Sequence, residues 1–161
     1  MDTKEIPMIR LAKDSDIPDI LRIREQIHKV HVAGRPDIFK MPDNKDDFHQ
    51  PLLNAFLSDN FHIFVCEADD GIAGYALVRL ASPHSGSLQT RHFYYIEEFG
   101  VDEKCRHHGY GSELMHGMID HAKVHKAASI SLDVWGFNEN AEHFYRSFGM
   151  TTMKTDLELQ L

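Results

Sequence analysis

Residues 94–114 read YYIEEFGVDEKCRHHGYGSEL, and the fold turns on this stretch. Phe93, Tyr94, Tyr95, Ile96, Phe99 and Val101 form an aromatic, branched run that reads as a strand. The chain then turns through Asp102–His108 and opens into a helix at Gly109–Gly111. Leu114, Met115, Met118, Ile119 and Ala122 are spaced to give that helix one buried face. A strand feeding a glycine-bearing turn and a helix N-terminus makes an anion site. The first-turn N–H groups have no partners inside the helix, and the helix dipole favours negative charge there. Glycine at 109 and 111 lets a ligand approach the main chain. The expectation is a turn that holds a pyrophosphate.

Two common pyrophosphate motifs do not fit. A dinucleotide fold needs a third glycine in G-x-G-x-x-G, and position 114 is Leu. The Walker pattern G-x-x-x-x-G-K-[ST] is absent. What remains is Arg106-x-x-Gly109-x-Gly111 after a strand.

The chain has 161 residues, enough for one well-buried core and short for two. Apolar content of 42% and charged content of 26% suit a soluble globular domain. No apolar run is long enough to span a membrane, and MDTKEIPMIR lacks the apolar core of a signal peptide. Two cysteines, Cys66 and Cys105, make no disulfide framework, so a cytoplasmic location is expected. A net charge of −8 argues against nucleic-acid binding and suits a cationic substrate.

Outward from the quoted stretch, the order reads β-α-α-β-β-β-α-β-α-β in a single domain spanning residues 1–161. Ile9–Leu11 is a first strand. Asp14, Ser15 and Asp16 offer caps for a helix running to about Val32, and Gly34-Arg35-Pro36 breaks it. Pro42-Asp43-Asn44 restarts a helix that Pro51 kinks or divides. Phe61–Ala68 and Ile72–Ala81 form a hairpin about Asp69-Asp70-Gly71. Ser82–Thr90 is a polar loop. Ala128–Val134 is a fifth strand, Asn138–Phe148 a short helix, and Met150–Leu161 a final strand with Leu157, Leu159 and Leu161 alternating.

Residues 135–150 read WGFNENAEHFYRSFGM. Asn138 can cap the helix, Ala141, Phe144, Tyr145 and Phe148 share a face, and Gly149 suits the stop. This pattern, N-x-x-A-x-x-F-Y-x-x-x-G-M, together with Arg106-x-x-Gly109-x-Gly111 about thirty residues earlier, resembles the Gcn5-related N-acetyltransferase (GNAT) family. The resemblance is close from Phe61 to Met150 and a matter of pattern over Met1–Asn60. It implies a mixed α/β fold, with a mostly antiparallel twisted sheet, helices on both faces, and parallel fourth and fifth strands that splay apart.

It also implies the chemistry. Acetyl-CoA would be the cosubstrate; apart from the resemblance, no metal is expected, since the sequence has no H-E-x-x-H and no Cys pair at zinc spacing. The turn Arg106, His107, His108, Gly109, Tyr110, Gly111 and Ser112 would hold its diphosphate. Phe99, Gly100 and Val101 would pair with the pantetheine arm, the Val101 amide serving as oxyanion donor, and Asn138 and Tyr145 would complete the cofactor site. Acceptor amines are mostly protonated at neutral pH, so a base helps. Glu97 is preferred over Glu98, since alternation places Glu97 on the face of Val101 and Glu98 on the other. Tyr145 would protonate the leaving thiolate. Cys105 is not needed as a nucleophile, because direct transfer forms no acyl-enzyme.

The acceptor is expected to be the primary amine of a small cationic or amino-acid-like molecule. A non-catalytic CoA-binding sensor and a protein N-terminal or lysine acetyltransferase stand as alternatives. His28, His31, Arg35 and Phe39 are candidates to line the acceptor pocket, His31 and Phe39 with Glu97 foremost. Neither a nucleic-acid nor a membrane partner is expected, and a homodimer is left open by analogy with the family.

Overall fold

The computed structural model describes residues 7–161. Part of the leading segment inspected for a signal peptide therefore lies outside the described residues. Strands β1 (Met8–Leu11), β2 (Phe61–Ala68), β3 (Gly71–Ala81), β4 (Phe93–Val101) and β5 (Ile130–Leu132) form one sheet in sequence order. The first three pairings are antiparallel, and β4 with β5 is parallel. Helices α1 (Ile17–Gly34) and α2 (Lys45–Phe56) cover one face; α3 (Tyr110–Val124) and α4 (Glu139–Ser147) cover the other. No helix among the described residues is long and apolar enough to cross a membrane.

Each face has its own core, dictated by strand alternation. On one side Ile20, Ile23, Leu52 and Ala55 pack over Ile63, Val65, Tyr75 and Leu77. On the other Leu114, Met115, Met118 and Ala122 pack over Phe64, Cys66, Ala76, Val78, Tyr94 and Ile96. Burying one such aliphatic side chain contributes about 1.5–3 kcal/mol, so the two layers clamp β3 and β4 from both sides.

Local chemistry sets the boundaries. Pro18 lies in the first turn of α1, where its missing N–H costs nothing. Asn44 caps α2, its side chain accepting from Asp46 N at 2.9 Å. Pro51 lies inside α2 without dividing it. Two expectations are corrected. The fifth strand is three residues long, because β4 and β5 stop pairing after Ile96 and Leu132. Met150–Leu161 contains no strand. Among the described residues, no main-chain hydrogen bond involves residues 151–161. Alternation gives that segment two faces, but a strand also needs an edge to pair with, and the fold brings it none.

Candidate active site

The turn after β4 is built by its neighbours. Asp102, buried at the strand end, accepts from Lys104 N at 3.0 Å and receives the Arg22 guanidinium from α1. Its own N–H donates to Ala73 O at 2.8 Å. Gln26, one turn along α1, accepts from Glu103 N at 3.0 Å. Asp102, Arg22 and Gln26 thus hold the loop in place, a role that sequence reasoning missed. An aspartate directly after a strand and before a turn was the available signal.

Beyond it the main chain takes left-handed values at His107 (φ 63°) and Gly109 (φ 90°). Such conformations in a turn shape an anion-binding concavity. The Gly109 N-cap brings no capping side chain, and the first bond of α3 runs from Glu113 N to Gly109 O at 3.1 Å. The N–H groups of Tyr110, Gly111 and Ser112 therefore precede the helical ladder. Arg106 turns back, its Nε donating to Val101 O at 3.3 Å, and His108 Nδ1 lies 2.7 Å from Arg106 O.

The turn faces a gap in the sheet. β4 and β5 pair only through Tyr94–Ile130, Tyr95–Ser131 and Ile96–Leu132, so Glu97–Val101 have no strand on that side. Gly111 packs near Val101 and Phe144; a Cβ there would lie 3.4 and 3.6 Å from their side chains. Phe99 meets the rings of Phe144 and Tyr145 at 5.5 and 5.9 Å. Tyr145 is partly buried, and among the described residues its hydroxyl has no hydrogen-bond partner. Burial pushes its pKa above the ordinary phenol value. Asn138 is engaged as the cap of α4, its Oδ1 accepting from Ala141 N at 3.3 Å.

The two acids depart from strict alternation. Leu77 pairs with Glu98 while Val78 pairs with Ile96, which leaves Glu97 as the extra residue of a β-bulge. The bulge puts both glutamates on the α1–α2 side, where both line an open cleft of about 550 Å³ with Pro51, Asn54, Ser58 and Leu77. The expectation that Glu97 shares a face with Val101, and that Glu98 faces away, is corrected. Phe99 packs on the α3–α4 side, while Gly100 abuts Ile27 of α1, where a Cβ would come within 2.3 Å.

Their partners differ. Glu98 accepts from Arg24 Nε at 2.9 and 3.1 Å and from the Tyr75 hydroxyl at 2.5 Å. Burial and the Glu98 charge raise the Tyr75 pKa well above its usual value, so it stays a donor. Arg24 also lies 4.2 Å over the Phe48 ring. Glu97 pairs at 2.6 Å with Arg79, and both side chains are over one-third exposed. Exposed pairs of this kind contribute about 0–1 kcal/mol and rearrange readily.

His31 and Phe39 gather elsewhere. Phe39 lies 5.2 Å from His31 and 5.1 Å from Trp135, ring to ring, and Trp135 stacks on Phe137 at 6.1 Å. His28 Nε2 lies 2.7 Å from Lys40 O, and Arg35 pairs with Asp37 and Glu158. This cluster caps the end of α1 after β5; none of its members lines the cleft of Glu97. Cys66 is buried, and desolvation pushes its thiol up to about 12.

The comparisons agree with this architecture. The model of the acetyltransferase (GNAT) family matches residues 24–150. The structure of a tetramutant of the BH1408 protein from Bacillus halodurans is 32% identical, with a TM-score of 0.85 over 96% of this chain and 99% of that one. The aminoglycoside antibiotic 6'-N-acetyltransferase AAC(6')-IG from Acinetobacter haemolyticus shares the fold at 14% identity, with a TM-score of 0.72 over 96% and 97% of the two chains. AAC(6')-Iy, solved with the bisubstrate analog CoA-S-monomethyl-acetylneamine, does so at 14% identity and 0.73, over 96% and 97%. With its parted parallel strands, glycine turn and matching family model, the chain belongs to the acetyltransferase (GNAT) family.

Proposed function

We propose that this chain transfers an acetyl group from acetyl-CoA directly to the primary amine of a small cationic acceptor. One observation carries the reading: the gap between β4 and β5 has acids on one side and a tyrosine on the other. The left-handed turn and the N–H groups of Tyr110, Gly111 and Ser112 suit a diphosphate. The main chain of Phe99–Val101, lacking a strand neighbour toward β5, suits an extended pantetheine arm. Acetyl-CoA, once bound there, supplies an activated thioester carbonyl.

The residues of this chain do the rest. Glu97 takes a proton from the acceptor ammonium, whose pKa of about 10.4 keeps it charged at neutral pH. Glu98 is less suited, because Arg24 and Tyr75 already occupy its oxygens. The Val101 amide donates to the developing oxyanion. Tyr145 protonates the departing thiolate. An acidic cleft beside Asn54 and Ser58, in a chain of net charge −8, favours a cationic acceptor. Two fold neighbours bear the names of aminoglycoside acetyltransferases, which fits a polyamine or amino-sugar class.

Calorimetry with CoA, followed by thiol release from acetyl-CoA across polyamines, aminoglycosides and amino acids, tests this. The expected result is heat with CoA and thiol release with at least one cationic amine. No heat with CoA overturns the site. Heat without release across the panel overturns the enzymatic reading.

A further inference from the structure

Arg79 holds a charge that the acetyl transfer does not use. Alternation along β3 puts it on the Leu77 side of the sheet, in register with Phe61 on β2 and Tyr95 on β4. Its Nε donates to Oε1 of Glu97 at 2.6 Å, and its guanidinium carbon lies 4.9 Å from the centre of the Tyr95 ring. The bulge that makes Glu97 the extra residue of β4 brings its carboxylate to this cation. Tyr95 is itself held, its hydroxyl donating to Oδ2 of Asp133 at 2.6 Å. A carboxylate beside an aromatic face is a cradle for an organic cation. Here the cation in the cradle belongs to the chain.

A second acid stands across the gap. Glu97 and Asp133 are the first residues beyond the last paired rung, Ile96–Leu132, one on each side. Paired strands lie about 4.8 Å apart, so the two acids flank the mouth of the gap. Among the described residues Arg79 pairs with Glu97 and not with Asp133, and Lys154 reaches Asp133 only at 4.0 Å. The Asp133 side chain is 61% exposed.

We propose that Arg79 stands in for the acceptor and thereby selects it: the reacting ammonium displaces the guanidinium from Glu97, and a second ammonium of the same molecule binds Asp133. The proposal rests on the reading of Glu97 as the base. Exchange at Glu97 alone gains little, because one exposed ion pair replaces another. A monoamine therefore competes with Arg79 near parity. A diamine adds the Asp133 contact, which Arg79 does not make. Asp133 serves both partners, one oxygen accepting from Tyr95 and the other from the ammonium. The released guanidinium stays over the Tyr95 ring. The acceptor class is thus a small diamine or polyamine; a protein lysine brings one ammonium only.

Calorimetry of putrescine and butylamine, with and without saturating CoA, tests this. The two amines share a carbon chain and differ by one charge. Putrescine should bind the wild-type chain about tenfold more tightly. Asp133→Asn keeps an oxygen for Tyr95 and should cut that preference to about twofold. Arg79→Gln should tighten butylamine about fivefold, and Arg79→Lys should not. Arg91→Gln takes the same charge from over the Phe93 ring and should leave both affinities as they were. Equal affinities for the two amines in the wild-type chain overturn the proposal. So does a putrescine preference that survives Asp133→Asn, a butylamine affinity that Arg79→Gln leaves unchanged, or no binding of either amine. Thiol release from acetyl-CoA is read separately. The expected affinities without release support the cation site and overturn the enzymatic reading; release with equal affinities does the reverse.

Discussion

The fully buried Tyr75 donates its hydroxyl hydrogen to Oε2 of Glu98 across 2.5 Å, from one sheet strand to the next. This bond and the Arg24 pair commit Glu98 to holding α1 against β4. Tyr75→Phe should cost about 1 kcal/mol in urea unfolding and leave thiol release within twofold. A tenfold loss of rate at unchanged stability would move the base role toward Glu98.

Glu97 makes only an exposed pair with Arg79. Glu97→Gln should lower kcat by about 10²-fold and flatten the acid limb of the pH–rate profile. An unchanged acid limb would remove Glu97 from that role.

Burial raises the Tyr145 pKa, so its phenol keeps its proton through neutral pH. Tyr145→Phe should reduce kcat by about 10²-fold, with CoA affinity by calorimetry changed little. A loss below threefold would argue that the thiolate leaves unprotonated or takes its proton from water.

Gly109 holds a φ of 90°, and a Cβ there would meet nothing within 4 Å. Gly109→Ala should therefore act through strain and ligand approach alone, costing about 1–2 kcal/mol of stability. CoA affinity should fall about tenfold, read as Kd by calorimetry. Unchanged affinity would place the diphosphate elsewhere.

His62 and His121 lie 5.3 Å apart beneath Tyr94, with His125 stacked on His121 at 4.1 Å. Desolvation first, then neighbouring histidine charge, lowers the pKa of both below the usual 6.5. The unfolded chain thus binds protons that the folded chain resists. The stability of this cluster is complete above about pH 6.5 and is lost as pH falls through the lowered values. Asp16 and Glu25, held low by Arg10 and Lys45, act in the other window, losing their contribution only as pH drops below about 4. Thermal melts between pH 7.5 and 5 should show a fall in Tm that His121→Gln reduces. An identical slope in the variant would clear the cluster of this role.

The turn after β4 and the ends of α4 were legible because their signals are local. Arg106, Gly109 and Gly111 sit next to one another in sequence, and the left-handed turn needs glycine at 109 whatever surrounds it. Asn138 and Gly149 likewise mark the two ends of α4 by their own conformational preferences. The faces of Glu97 and Glu98 were not legible. A bulge is a property of two paired strands, and the extra residue is set by how β3 registers with β4. Asp102, Arg22 and Gln26 escaped for a similar reason, since a carboxylate and a guanidinium eighty residues apart meet only when α1 lies across the sheet.

The residue order alone determined most of the elements and the glycine turn, because those follow from periodicity and from the torsions each residue tolerates. Tertiary structure alone decided where β4 and β5 part, which side each acid takes, and that Met153–Leu161 is left without a strand to join. Those outcomes depend on which main-chain edges come together, and hydrogen-bond partners across a sheet are not written in the residues of either strand.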